Sequence, residues 1–159
     1  MQEQDRTLLE FINDGVVGSA RALTPAERRR LDALWALLAR LTDTLAEGRS
    51  LSAAELADLN AVTGRIPVRA QLVAEPGGAY VVDFEPVGGT WIDRLERELS
   101  GSFGSILRRS RPPRLKRCAD ESCGRAFTDE TRSRTRRWCD TGTCGNRARV
   151  RRHRDRSSR

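Results

Sequence analysis

Histidine is nearly absent from this 159-residue chain: His153 is the only one, and it sits in an arginine-rich tail. A serine or cysteine nucleophile therefore has no well-placed imidazole as its base, which excludes the usual hydrolase triads. Multi-histidine metal sites are excluded on the same ground. The sequence also lacks a phosphate-binding glycine loop and a dinucleotide glycine pattern, and no enzyme is expected. Lysine is as scarce, Lys116 being the only one. No apolar run approaches the roughly 18 residues of a membrane span. The opening Met1-Gln2-Glu3-Gln4-Asp5 has neither a basic start nor an apolar segment, so no secretory signal is expected and the chain is read as cytoplasmic.

What is present is arginine, unevenly placed. The 29 basic and 22 acidic side chains give a formal net charge of +7. Residues 1–100 hold 11 basic and 16 acidic groups, a net of −5, whereas residues 101–159 hold 18 and 6, a net of +12. All four cysteines lie in the second part. Charge sign and cysteine content both switch near residue 100, which predicts two modules, 1–109 and 113–156, with a tail at 157–159. The basic module should meet a polyanion.

In the first module, Thr7–Asn13 reads as a short helix closed by Asp14-Gly15. Thr24, Pro25 and Glu27 form the start of a long helix with a capping box. Leu31, Leu34, Trp35, Leu38, Leu41 and Leu45 follow at helical spacing, and Gly48 is a C-terminal stop. Ser52 and Glu55 repeat this grammar, with Leu56 and Leu59 turned inward and Gly64 as the stop. Between Ile66 and Phe84 the period changes to two around Pro76-Gly77-Gly78, which predicts a β-hairpin. A fourth helix is expected from Thr90, weakened or broken at Gly101 and Gly104. Trp35 and Trp91 are read as packing residues. Asn13 has two readings, a polar anchor near a helix end or a ligand contact. The fold class predicted is α+β: a mostly helical N-terminal domain with one hairpin, then a small four-cysteine finger ending in a basic helix.

The cysteines are spaced Cys118-x4-Cys123-x15-Cys139-x4-Cys144. Two close pairs separated by about fifteen residues suit one tetrahedral zinc held by four thiolates, with no open position for catalysis. Two disulfides are the alternative and need an oxidising compartment. Apart from the ligands this stretch has few core candidates (Leu115, Phe127, Trp138 and Val150), so it is expected to fold only with metal. Trp138 is expected to shield the site. A helix should begin at or next to Cys144, its positive end near the thiolates.

The run Trp138-Cys139 … Cys144-Gly145-Asn146-Arg147, preceded by Cys118-x4-Cys123, resembles the CGNR zinc finger over residues 113–155. That finger commonly follows an α/β domain called ABATE, in proteins described as stress-induced transcription regulators of bacteria. Residues 5–107 resemble ABATE in layout, including an early apolar run ending in Asn13. The resemblance implies DNA binding by the finger and signal sensing by the first module.

On a helix, Arg147, Arg151 and Arg154 form one row, and Arg149, Arg152 and Arg156 a neighbouring one. With Lys116, Arg132, Arg134, Arg136 and Arg137 they are the candidate nucleic-acid contacts, duplex DNA being the leading partner. Asn146, Arg147 and Arg149 are candidates for base edges. A structural role for Asn146 and Arg147 is the alternative, as is a solvated tail for the arginine rows. The competing functions are an RNA-binding or ribosome-associated zinc module and a protein-interaction adaptor. A homodimer through the first module is also expected, because the hairpin leaves strand edges unpaired, together with a small-molecule effector of that module.

Overall fold

The structure, a computed structural model, describes residues 3–15, 22–109 and 114–157. The break expected between the modules at 110–112 and the tail residues 158–159 lie outside these. Four helices come first, α1 (Glu3–Asp14), α2 (Pro25–Ala46), α3 (Ala53–Thr63) and α4 (Trp91–Arg109), with the strands β1 (Val68–Ala74) and β2 (Tyr80–Pro86) between α3 and α4. Then follow β3 (Leu115–Arg117), β4 (Ala126–Thr128), a single π turn (Thr141–Gly145) and α5 (Asn146–Ser157). The class is α+β and mostly helical. No helix among the described residues is long and apolar enough to cross a membrane.

Local chemistry sets the helix starts. Thr24 and Ser52 both cap with the complete reciprocal pair, the hydroxyl accepting from the N3 amide and the N3 glutamate accepting from the cap amide. Thr90 and Asp93 do the same for α4: the Thr90 amide donates to Asp93 Oδ2 at 2.7 Å. At the end of α2, Gly48 takes φ +76° and its amide donates to the Leu45 carbonyl. Glycine tolerates that left-handed conformation without a Cβ clash.

The stripes then pack. Leu8, Phe11 and Ile12 of α1 meet Leu34, Leu38 and Leu41 of α2, Leu59 and Val62 of α3, and Leu99, Phe103 and Ile106 of α4. Each such side chain removed from water contributes about 1.5–3 kcal/mol before chain entropy is subtracted. The same cluster takes in Leu115 of β3 and Ala126 of β4. The second module is thus mounted on the first through a shared core: β3 packs on α2 and β4 on α1.

Three local expectations change. Helix α4 runs unbroken through Gly101 and Gly104. The two glycines cost about 1 kcal/mol each, and burial of Leu99, Phe103 and Ile106 on the same helix offsets them. Trp35 and Trp91 are half-exposed rather than core residues; Trp35 lies against Gly15 and donates from Nε1 to the Ile12 carbonyl at 3.0 Å. Leu56 faces outward while Leu59 is buried.

A buried carboxylate ties the helices together. Glu96 of α4 is 1% exposed and accepts from Arg30 Nε and Nη2 at 3.0 and 2.6 Å, and from Arg65 Nη1. Arg30 also reaches Asp93 at 2.6 Å. Hydrogen bonds to these carboxylates raise the Arg30 guanidinium above its ordinary range.

Candidate metal centre and the arginine helix behind it

The antiparallel pair β3–β4, in register Leu115↔Thr128, Lys116↔Phe127 and Arg117↔Ala126, brings Cys118 out at its end. The chain then turns sharply. The Cys123 amide donates to the Asp120 carbonyl at 2.8 Å and the Gly124 amide to the same oxygen at 3.2 Å. This turn carries Cys118 and Cys123. Of the second cysteine pair, Cys144 sits on the π turn and Cys139 just before it; Asp140 caps the turn by accepting from the Thr143 amide at 2.6 Å. One backbone bond, Ala119 N–H to the Arg137 carbonyl at 2.8 Å, joins the two turns.

The four sulfurs converge. Cys123 and Cys139 Sγ are 3.6 Å apart, Cys139 and Cys144 Sγ 3.7 Å, and all four lie within 4.8 Å of one another. A tetrahedral Zn–S bond of about 2.3 Å implies sulfur–sulfur edges of roughly 3.8 Å. The cysteines are free, and these separations are far beyond a disulfide bond of about 2.05 Å. Among the described residues no carboxylate or imidazole joins the cluster, so the donor set is all sulfur, which suits zinc and not magnesium or calcium.

The thiols shift in opposite directions: against burial, the hydrogen bond from the Cys139 amide holds Cys118 down. Burial, followed by hydrogen bonds shared with the neighbouring thiols, pushes the Cys139 thiol up, and burial does so for Cys144. Four thiolates so close need a cation between them. The shell around them helps: the Cys139 amide donates to Cys118 Sγ at 3.4 Å and Arg147 Nη2 to Cys144 Sγ at 3.1 Å. Trp138 is half-buried against the Gly145 backbone and covers the π turn. The four thiols form a closed site for one structural zinc.

Residues 114–157 match the CGNR zinc finger family. The match starts at β3, so the likeness of residues 5–107 to ABATE rests on layout alone. No curated protein matches the chain.

Within the CGNR finger, two buried aspartates organise the basic residues. Asp120 is 1% exposed. Its carboxylate accepts from Arg147 Nε at 2.7 Å, from Arg151 and from Ser122 Oγ at 3.1 Å. The Arg147 guanidinium first, against the opposing effect of burial, holds this carboxyl well below the usual carboxylate range. Asp129, fully buried, accepts from Lys116 Nζ at 2.7 Å, the Arg136 amide at 2.9 Å and the Thr131 amide at 3.1 Å. Burial opposes its ionisation, yet Lys116 and the Thr131 and Arg136 donors hold it low.

The candidate contacts therefore divide. Lys116 is held by Asp129 and by the carbonyls of Arg134 and Arg136. Arg136 stacks over Phe127 at 5.2 Å and donates to the carbonyls of Trp138 and Cys139. Arg147 and Arg151 hold Asp120, so for Arg147 the structural alternative is what the geometry displays. Arg137 lies over the Trp138 ring at 5.6 Å. Arg132, Arg134, Arg149, Arg152 and Arg154 are exposed; Arg149 donates to Asn146 Oδ1 at 3.1 Å and Arg152 to the Ala148 carbonyl at 3.4 Å.

Asn13 is a polar anchor. Its amide donates to the Ala126 carbonyl at 3.1 Å and accepts from the Ala126 amide at 2.6 Å, standing in for a strand beside β4. Asp120 and Asp129 escape a reading by charge. Their signal is a repeated Asp-Glu-Ser/Thr (120–122 and 129–131), in which the aspartate accepts from the amide two residues on.

Proposed function

We propose that the protein is a DNA-binding transcription regulator whose CGNR finger grips duplex DNA with the outer face of α5. The observation that carries the reading is how the finger's positive charge is partnered. Arg147 and Arg151 pair with Asp120, Lys116 with Asp129, Arg117 with Asp43 and Arg125 with Asp14. Among the described residues, Arg132, Arg137, Arg149, Arg152 and Arg156 have no carboxylate partner, and all five are exposed. Arg149, Arg152 and Arg156 fall at i, i+3 and i+7, one face of the helix, with Asn146 one turn before them.

A helix of this width fits the major groove. Arg149, Arg152 and Arg156 meet phosphates from it, and Arg132, Arg137 and Arg134 add contacts from the approach to Cys139. Asn146 reaches a base edge, whereas Arg147 and Arg151 fix the helix to the zinc site and thereby its angle. Single-stranded nucleic acid is the weaker fit, because stacking needs an open aromatic face and Trp138 is covered by Arg137 and by the π turn. In this reading the protein is cytoplasmic and nucleoid-associated, and the first module senses a signal or dimerises.

The test is titration of zinc-loaded protein with a duplex, with RNA as competitor at equal phosphate concentration and fixed salt. Replacing Arg149, Arg152 and Arg156 by Ala together should reduce the slope of log K against log salt by about 2.7, roughly 0.9 for each phosphate no longer neutralised, with zinc content unchanged. Unchanged affinity, or RNA displacing the duplex, would overturn the proposal.

A further inference from the structure

The β1–β2 ribbon leaves an apolar face uncovered. Its register pairs Val68 with Pro86, Ala70 with Phe84, Leu72 with Val82 and Ala74 with Tyr80. Side chains alternate across a strand, so these eight residues share one face, and none of them is polar apart from the Tyr80 hydroxyl. The other face pairs Arg69 with Glu85, Gln71 with Asp83 and Val73 with Val81, and only its two valines are half-buried. The apolar face is exposed: Leu72 is 73% exposed, Tyr80 75%, Val82 54% and Phe84 54%.

A ribbon meant for solvent carries its charges outward and its apolar residues inward. Here the apolar residues are as open as the charged ones, Arg69 and Glu85 on the other face being 66% and 53% exposed, and the apolar face offers on the order of 600 Å². That matches the largest patches monomers expose, about 300–600 Å², and is most of the roughly 800 Å² each partner gives to a standard interface.

We infer that this face is the contact surface between two copies of the chain, packed ribbon on ribbon about a two-fold axis parallel to the strands. The size pattern argues for a second copy over any other occupant. The bulky residues Tyr80, Val82 and Phe84 all lie on β2, while β1 offers Ala70 and Ala74 beside Leu72. A two-fold axis along the ribbon lays β2 of each copy over β1 of the other. Phe84 then sits over the partner's Ala70 and Tyr80 over the partner's Ala74, with Val82 against the partner's Leu72. Large meets small at the two aromatic positions and branched aliphatic meets branched aliphatic between them, at the sheet spacing of about 10 Å. An axis across the strands would instead stack Tyr80 on Phe84 and leave the alanines facing a gap. The contact is isologous and closed, as a dimer requires. An anionic membrane surface is a poor occupant, since residues 1–100 carry a net −5. The dimer uses the face of the ribbon and not its edges, and it does not depend on what the finger binds.

The experiment is sedimentation of the full zinc-loaded chain across 1–100 µM. Wild type should run at twice 17.8 kDa. Phe84→Ala and Ala70→Phe, each alone, should weaken the dimer at least tenfold; the double variant, which exchanges large for small across one pair, should recover it. Circular dichroism of the variants should be unchanged, because the positions are solvent-facing in the single chain. A wild-type monomer throughout, as expected if another protein covers the face, overturns the inference. So does a dimer that persists in both single variants, or a double variant no tighter than the singles.

Discussion

Removing one amide from α1 should destabilise the whole molecule. Asn13 satisfies both the N–H and the C=O of Ala126, a residue 3% exposed at the seam between α1 and β4. Asn13→Ala leaves two backbone groups without partners where water has little access. An unsatisfied buried group costs about 1–3 kcal/mol; with the seam partly open on the Asn13 side, we expect about 2–4 kcal/mol for the pair. For a chain of this length that corresponds to roughly 5–15 °C in Tm. The neighbouring ion pair supplies the control. Arg125 holds Asp14 with two bonds at 3.1 and 3.0 Å, but both side chains are about half-exposed, so Asp14→Ala should cost under about 1 kcal/mol. Urea unfolding of zinc-loaded protein, followed by circular dichroism, measures both. If Asn13→Ala costs no more than Asp14→Ala, the bidentate bond does not couple the two modules and the reasoning fails.

Three further outcomes follow from the same structure. Glu96→Gln leaves Arg30 and Arg65 facing a neutral amide and should cost about 3 kcal/mol, the low end for a broken buried pair because both guanidiniums reach water; a loss under about 1 kcal/mol by urea midpoint would contradict this. Stripping zinc with a chelator should abolish amide protection across Cys139–Ser157 while Leu8–Ile12 and Leu99–Ile106 stay protected, because β3 and β4 are part of the helical core; hydrogen exchange distinguishes this from collapse of the whole chain. In acid, capping bonds from Ser52 hold Glu55 down at about 2 against an ordinary 4.5, and Asp93 is likewise low. Below the ordinary range the unfolded chain binds more protons than the folded one, so this stability is complete above about pH 4.5 and is lost as pH falls towards 2. Glu55→Gln should flatten the Tm–pH curve of the zinc-free protein over that window, and an equally steep curve would count against the linkage.

Much of this was legible because its causes are local. Thr24-x-x-Glu27 and Ser52-x-x-Glu55 place donor and acceptor within four residues, so the helix starts could be read from the sequence. Four cysteines in two close pairs need only tight turns to converge on one ion. What escaped depends on partners far along the chain. Asn13 bonds a residue 113 positions away, and Arg147 finds Asp120 across 27, so charge alone placed that arginine on a polyanion. Alternation in Val68–Leu72 announces an apolar face but not whether the rest of the chain covers it. Gly101 and Gly104 looked like breakers because propensity is read one residue at a time, whereas α4 is held by three buried side chains around them.

The opposite charges of the two parts have a structural consequence that neither total conveys. Near the shared core, the finger's basic residues find carboxylates of the helical module: Arg117 meets Asp43 at 2.8 Å and Arg125 meets Asp14. Close to the zinc, Asp120 and Asp129 neutralise Arg147, Arg151 and Lys116. Among the finger's described residues, the exposed arginines without a carboxylate lie on the outer face of α5 and on the approach to Cys139. The zinc fixes the π turn, the turn fixes α5, and the β3–β4 ribbon fixes all of it to α1 and α2. A shift of α1 against α2 therefore has to carry the charged face with it, because Asn13 and Arg117 connect each helix to a different strand of the same ribbon.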